Sequence, residues 1–316
     1  MMDSRSDSSK AVLLLLSGLA PNGPLPLKVR EYRKLCGLCG DPSTLIGKSQ
    51  GDLTKLGLVP ELAERVTGLL DQAVSLALVV ESYAEKGIKV VTEFDAPYPK
   101  HLKTNLGPKA PSLLFVAGSL DLLSQPGVGV VGSRNVDEQR ASTAREAGAY
   151  IASLGVPIVS GNSRGVDLLS MNGTYEEGGS AIAVLSDSLE STIKEKEVRN
   201  RLLNEEAVFC SPYRPDSNFT IGTAMGRNKI IYGLSVVTLV VHSAFEKGGT
   251  WAGAKEAIRG KQKVAIWDDA DLPGNQGLIE LGGIPIKNIN LLKKIQTQAQ
   301  PINEPTIQQQ ALFPNS

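Results

Sequence analysis

Gly127-Val128-Gly129-Val130-Val131-Gly132-Ser133-Arg134 is a run of small and β-branched residues that closes on a glycine, a hydroxyl and an arginine. A strand buried on both faces reads as an unbroken apolar run rather than an alternating one. The amphipathic segment Asp137–Leu154 follows. After it, Val156-Pro157-Ile158-Val159-Ser160-Gly161 repeats the pattern of a buried strand ending on glycine. Strand, crossover helix and second buried strand make the unit of a parallel sheet.

Outward from this unit the same pattern recurs. Gly87–Thr92, Leu113–Ala117, Ala181–Leu185, Ala207–Cys210, Val236–Val241 and Lys263–Trp267 are further apolar runs, and Asn218–Ser235 is a second long helical segment. Residues 87–288 are therefore expected to form a doubly wound, mostly parallel α/β sheet. Residues 1–86 read as a small helical domain. Asp41-Pro42 has the form of a cap followed by proline at the first helical position, and Leu53, Leu56, Leu58, Leu62, Val66, Leu69 and Leu70 recur at helical spacing. Leu56-Gly57-Leu58-Val59-Pro60-Glu61-Leu62-Ala63 has the outline of a helix-hairpin-helix, with Val59 where a second glycine is usual. It fits a plain packing module or a phosphate-holding turn. Residues 289–316 are rich in Gln, Pro and Asn and are expected to be a disordered tail.

Lys and Arg number 33 and Asp and Glu number 33 in the 316 residues. Binding a polyanion through overall charge is thereby excluded, so any such site must be a local patch. Residues 87–287 alone hold 21 basic and 22 acidic side chains, a net charge of −1. Three cysteines and two histidines, His101 and His242, leave no set for a zinc cluster, and an odd, sparse cysteine count points to a reducing, cytoplasmic setting. Cys36-Gly37-Leu38-Cys39 has no strand before it, unlike a redox-active pair. The apolar run Ala11–Leu16 is far short of the roughly 20 residues that span a membrane, and is read as a buried helix.

Four segments point to one crevice. Gly132-Ser133-Arg134 and Ser160-Gly161-Asn162-Ser163-Arg164-Gly165 follow strands. Gly226-Arg227-Asn228-Lys229 lies on the helical segment before a third strand, and Gly248-Gly249-Thr250 opens the helix after it. Loops at the carboxyl ends of parallel strands line one crevice, and helix N-termini there present free N–H groups. Glycine admits a phosphate to the backbone, and arginine adds a charged fork. The expected phosphate or DNA contacts are Gly132, Ser133, Arg134, Ser160, Gly161, Arg164, Arg227, Asn228, Lys229, Gly248, Gly249 and Thr250. Although Gly127–Gly132 matches G-x-G-x-x-G, its first two glycines fall in the strand. Ser160-Gly161-Asn162 also stands where a ribose-binding acid is required, so no dinucleotide and no other cofactor is expected. Asp167 and Glu256 are isolated carboxylates near the crevice, and no catalytic grouping is legible.

These residues, in this order, resemble the DNA-processing protein family known as DprA or Smf. The resemblance runs through Phe94-Asp95-Ala96-Pro97-Tyr98-Pro99, Pro111–Gly118, Val130–Arg134, Val159-Ser160-Gly161 and Gly165-Val166-Asp167. It continues in Gly226-Arg227-Asn228-Lys229-Ile230-Ile231-Tyr232-Gly233-Leu234-Ser235, Gly248-Gly249-Thr250 and Asn275-Gln276-Gly277-Leu278-Ile279. The resemblance implies a Rossmann-like domain preceded by a helical, SAM-like one. It also implies a non-catalytic protein that binds single-stranded DNA, protects DNA entering during natural transformation, helps load the recombinase RecA and acts as a homodimer. In the family the Gly-Ser/Thr-Arg segment contributes to DNA binding, which points to Gly132, Ser133 and Arg134.

The chain departs from the family pattern at Asp137-Glu138-Gln139-Arg140, at Ser170-Met171 and at Ser186-Asp187-Ser188-Leu189, and only the Gln-rich tail is expected in place of a C-terminal winged helix. These departures open a mobile-element or defence setting, and two other functions share the crevice chemistry. One is a nucleotide-sensing module. The other is a nucleoside-monophosphate phosphoribohydrolase, whose Gly-Gly-x-Gly-Thr-x-x-Glu motif would need a carboxylate where Gly253 stands.

Overall fold

The structure, a computed structural model, describes residues 5–297. The apolar runs become nine strands: β1 (Ile88–Thr92), β2 (Leu113–Gly118), β3 (Gly127–Gly132), β4 (Ile158–Ser160), β5 (Ala181–Val184), β6 (Ala207–Ser211), β7 (Ser235–His242), β8 (Val264–Trp267) and β9 (Ile284–Ile286). They form one sheet in the order β1-β2-β6-β5-β4-β3-β7-β8-β9. Every pairing from β6 across to β9 is parallel, whereas β1 with β2 and β2 with β6 are antiparallel. This is a Rossmann-like α/β fold.

Five helices precede the sheet: α1 (Asp7–Leu16), α2 (Val29–Cys39), α3 (Gln50–Lys55), α4 (Pro60–Leu70) and α5 (Ala73–Glu85). Among the strands run α6 (Lys100–Leu106), α7 (Leu120–Ser124), α8 (Glu138–Ser153), α9 (Val166–Glu176), α10 (Leu189–Thr192), α11 (Lys196–Leu203), α12 (Ile221–Leu234), α13 (Gly248–Arg259) and α14 (Pro273–Glu280), and α15 (Leu291–Thr297) follows β9. Asp41 does cap, accepting a hydrogen bond from the Ser43 amide at 2.8 Å, but it opens only a short 3-10 turn, Pro42–Leu45. Helices α3 and α4 form the hairpin expected around Gly57, with Pro60 in the first turn of α4.

Two expectations need correction. The disordered tail does not begin at residue 289. Leu291–Thr297 is helical, because Leu292 and Ile295 are buried and the Lys263 ammonium donates to the Ile295 carbonyl. Residues 298–316 lie outside the described residues. The fourth strand starts at Ile158 rather than Val156, since Pro157 has no N–H to give a ladder. Its carbonyl instead accepts from the Val128 amide. Strand β9 has no sequence signature. It is three residues long, contains Pro285, and sits on the sheet edge where proline is tolerated.

Strand residues alternate between two cores. Val128, Val130, Ala181, Ala183, Val237 and Leu239 join the core on one face, while Val131, Ile182, Val184 and Val240 join the other. Buried side chains of residues 12–83 belong to the first core, which they share with Ile88, Val90, Leu113 and Phe115. The helical region thus covers the β1–β2 end of the sheet. Ion pairs fasten its edge: Arg5 to Asp95 at 2.7 Å, and Arg33 to Glu93 at 2.9 Å. Lys103 approaches the same Glu93, whose side chain is only 5% exposed. No helix among the described residues is long and apolar enough to cross a membrane.

Replacing Glu93 by Ala would leave Arg33 facing a buried gap. Hydrogen bonds to charged groups contribute about 1.5–3 kcal/mol each, so the melting temperature is expected to fall by several degrees. Glu93→Gln, which keeps an acceptor, is expected to lose less. Equal melting temperatures for Glu93→Ala and the parent would show that this edge is not a fastening.

Candidate nucleic-acid interface

The strand order places a switch point at β3. From β3 the chain winds through β4, β5 and β6 to one side, then returns to lay β7, β8 and β9 on the other. The loops leaving β3 and β7 therefore diverge and open a crevice at their carboxyl ends, where open α/β sheets bind ligands. The crevice walls are tied by short hydrogen bonds. The Ser133 amide donates to the His242 carbonyl at 2.9 Å, and the Thr250 hydroxyl donates to the Gly132 carbonyl at 3.1 Å. Asn228 donates to the Gly249 carbonyl at 3.1 Å.

Two cavities occupy the crevice. One, of about 680 Å³, lies between Gly132–Arg134, the α12 face carrying Ile221, Ala224 and Asn228, and the start of α13 at Gly248–Thr250. The other, of about 550 Å³, lies over the ends of β4 and β5 and is lined by Gly161–Arg164 and Ser186–Asp187. Arg134 and Phe219 border both. The Arg134 guanidinium stacks 5.1 Å from the Phe219 ring centroid, forming the wall between them. Phe219, Ile221 and Met225 expose apolar surface along the rim. The first-turn amides of α13 have no intrahelical partner and face the crevice with the positive end of the helix dipole.

Beneath this surface lies a buried ion pair. Arg227 is 3% exposed, with Nη1 3.7 Å from Asp167 Oδ2 and Nη2 donating to Ser163 Oγ at 3.0 Å. Burial pushes the Asp167 carboxyl up, against the Arg227 charge and hydrogen bonds from Gly132 and Ser163 that favour ionisation. Burial also draws the Arg227 value down, opposed by Asp167 and Asp187. A guanidinium keeps its charge at neutral pH, and the close carboxylate is its counterion.

The sequence profile of the family described as DNA recombination-mediator protein A matches residues 89–296 of this chain. The chain belongs to that family. Protein Smf of Synechocystis sp. is 31% identical over 68% of the chain, which spans 60% of that relative. The DNA processing protein DprA of Bacillus subtilis is 28% identical, with 72% of this chain and 75% of the relative aligned. Among solved structures, DNA processing protein A from Streptococcus pneumoniae superposes with a TM-score of 0.65 at 22% identity, covering 92% of this chain and 98% of that one. That likeness concerns the fold.

The residues expected at the site from the sequence divide by position. Gly132, Arg134, Gly161, Arg164, Asn228, Gly248, Gly249 and Thr250 line the crevice, with Ser133 beside them. Arg227 borders it from below. Ser160 is fully buried and donates to the Val130 carbonyl at 2.7 Å, so it serves the sheet. Lys229 lines neither cavity. It sits two residues past Arg227 on α12, about 200° around a helix that advances roughly 100° per residue. Phe219 was not among the sequence candidates. The signal available was an aromatic in the polar loop Ser217-Asn218-Phe219-Thr220, ahead of the Thr220 cap that starts α12.

Of the two carboxylates singled out in the sequence, Asp167 lines the crevice beside Arg227 and Glu256 does not. Glu256 pairs with Lys109 at 2.9 Å, both well exposed, and lines neither cavity. Burial pushes both thiols of Cys36 and Cys39 up, the direction opposite to activation. His101 and His242 are both lowered by burial and are neutral near pH 7.

A Cβ at Gly161 would lie 1.3 Å from Arg227 Nη1. Gly161→Ala must therefore displace the guanidinium from its place beside Asp167. Overpacking of this kind costs about 1–3 kcal/mol. A clearly lowered midpoint in urea unfolding is expected, and an unchanged one would mean that Arg227 has room to move.

Proposed function

We propose that the crevice binds single-stranded DNA and that the protein is a non-catalytic DNA-processing factor. The observation that carries this reading is the wall made by Arg134 and Phe219. It sets a cation and an exposed aromatic face side by side above the free amides of α13. Single-stranded nucleic acid is held by a positive groove along the phosphates and by aromatic faces on which bases stack, the latter worth about 1–3 kcal/mol per base. A related structure, DNA processing protein A from Helicobacter pylori, is described for its single-stranded DNA binding mode. Arg134 would hold a backbone phosphate with the amides around Gly132 and Ser133. Arg164, Asn228 and Gly248–Thr250 would extend the track.

Because the sheet region is close to neutral overall, affinity must come from a concentrated local stripe of cations, and binding is expected to be modest and steeply dependent on salt. The proposal extends to a helical module over residues 1–86 that supports the DNA-binding domain of 87–288, to a homodimer, to a cytoplasmic setting, and to assisting a recombinase such as RecA.

The test is a parallel titration with single-stranded DNA, double-stranded DNA and nucleoside monophosphates, followed by product analysis. Preference for single strands without base release is expected. Release of free base would replace the proposal with phosphoribohydrolase chemistry. Saturable binding of monophosphates alone would favour nucleotide sensing.

Arg134→Ala is expected to weaken single-stranded DNA binding by about 1.5–3 kcal/mol, the range for a hydrogen bond to a charged group. The loss should be similar for all sequences and should reduce the slope of log affinity against log salt by about 0.7. Arg134 is exposed, so the melting temperature should hold. An unchanged slope with a large drop in melting temperature would make Arg134 a structural residue.

A further inference from the structure

Three crevice segments converge on one buried group. Asp167 lies in the first turn of α9 and lines one cavity together with Gly132, at the end of β3, and Ser163, in the loop after β4. Arg227 reaches the same point from α12, contacting both Asp167 and Ser163. Its Nη1 fills the space beside Gly161 that a Cβ there would need, 1.3 Å from that position. One residue before α9, Gly165 has φ +89°, and a Cβ there would meet the Ser133 and Arg134 carbonyl oxygens at 2.3 and 2.6 Å. The adjacent Val166 amide donates to the Ser133 carbonyl at 3.2 Å. The backbone that carries Arg134 therefore rests on the start of α9, and the start of α9 is fixed by Asp167.

We propose that the buried Asp167–Arg227 pair is a positioning clamp that holds the Gly132–Arg134 and Gly161–Gly165 loops in the geometry that presents Arg134 to a strand. Arg227 acts through these loops and does not itself touch the ligand. This rests on the reading of the crevice as a single-stranded DNA site. A buried ion pair is often no more stabilising than apolar residues of the same volume, so simple fold stability is a poor account of its presence. Directionality is a better one. The Arg227 guanidinium donates from Nη2 to Ser163 while its Nη1, which has no hydrogen-bond partner, faces the Asp167 carboxylate at 3.7 Å, and this directed contact ties α12 to α9 and to the loop after β4, which apolar contacts of equal area would leave free to slide. The pair also has an electrostatic consequence. Asp167 neutralises Arg227, so Arg134 remains the cation that marks the wall between the cavities.

The test compares the parent chain with Arg227→Gln, Arg227→Lys, Asp167→Asn and the Arg227→Gln/Asp167→Asn pair. Oligothymidylate affinity is measured across a salt series, with amide exchange of Val166 followed in the free protein. Arg227→Gln is expected to weaken binding at least tenfold with the salt slope unchanged, since no phosphate contact is lost. Val166 exchange should quicken at least tenfold in both single neutral variants. The double variant, with no unpaired buried charge, should recover much of both. Arg227→Lys keeps the charge but not the fork and should behave as a weakened variant. Parent-like behaviour would show that charge alone suffices and would sink the clamp.

A salt slope reduced by about 0.7 in Arg227→Gln would instead make Arg227 a direct phosphate contact. A lower melting temperature with affinity and Val166 exchange untouched would reduce the pair to packing. If a single variant does not fold, the double variant and Arg227→Lys still decide. Should the parent chain itself fail to bind oligothymidylate, the crevice reading falls, while Val166 exchange still tests whether the pair holds the loops.

Discussion

Strand β3 is parallel to both of its neighbours, β4 and β7, and the site depends on that arrangement. A parallel crossover returns over one face of the sheet with a fixed hand, so a chain that winds outward on both sides of one strand must send its first turns to opposite faces. Between those turns the carboxyl ends of β3 and β7 stand uncovered. The bonds from Ser133 to His242 and from Thr250 to Gly132 close the gap at its base. What remains is a slot lined by loop backbone and a helix N-terminus, which suits an anionic ligand before any side chain is considered.

The charge pattern follows from this. With equal numbers of acidic and basic side chains, the protein can attract a polyanion only where its cations are left unneutralised. Several arginines are committed elsewhere: Arg140 to Asp269, Arg201 to Glu206, Arg227 to Asp167. Arg134 instead has an aromatic ring as its neighbour, which leaves its fork available to a phosphate while restricting its motion. On the proposed reading, the exposed apolar rim of Phe219, Ile221 and Met225 would give unpaired bases a surface that a duplex, with its bases stacked inside, cannot use.

Much of this was legible in the sequence because parallel strands are buried on both faces and so stand out as unbroken Val and Ile runs. Edge strand β1 still shows an apolar run around its exposed Lys89, whereas Ile284-Pro285-Ile286 at the other edge is too short and too exposed to stand out. The glycine and arginine segments were legible for a similar reason, since tight loops and close backbone approach admit few residue types. Burial of individual polar groups was not. Nothing in Gly226-Arg227-Asn228-Lys229 reveals that Arg227 turns inward to a carboxylate 60 residues earlier while Lys229 turns away. Pairing across that separation is set by how α9 and α12 pack. Helix α15 escaped notice because Leu291, Leu292 and Ile295 are few among polar neighbours, and only the core they cover makes the segment helical.

The central claim is that single-stranded DNA lies in the crevice at the β3–β7 switch point. Hydrogen exchange measured along the whole chain, with and without a saturating oligothymidylate, tests it most directly. The account predicts added protection concentrated in residues 131–134, 161–165, 219–228 and 247–252, with the α3–α4 hairpin and the outer sheet edges little changed. Protection centred on the hairpin or on the β9 edge, with the crevice segments exchanging as in the free protein, would contradict it.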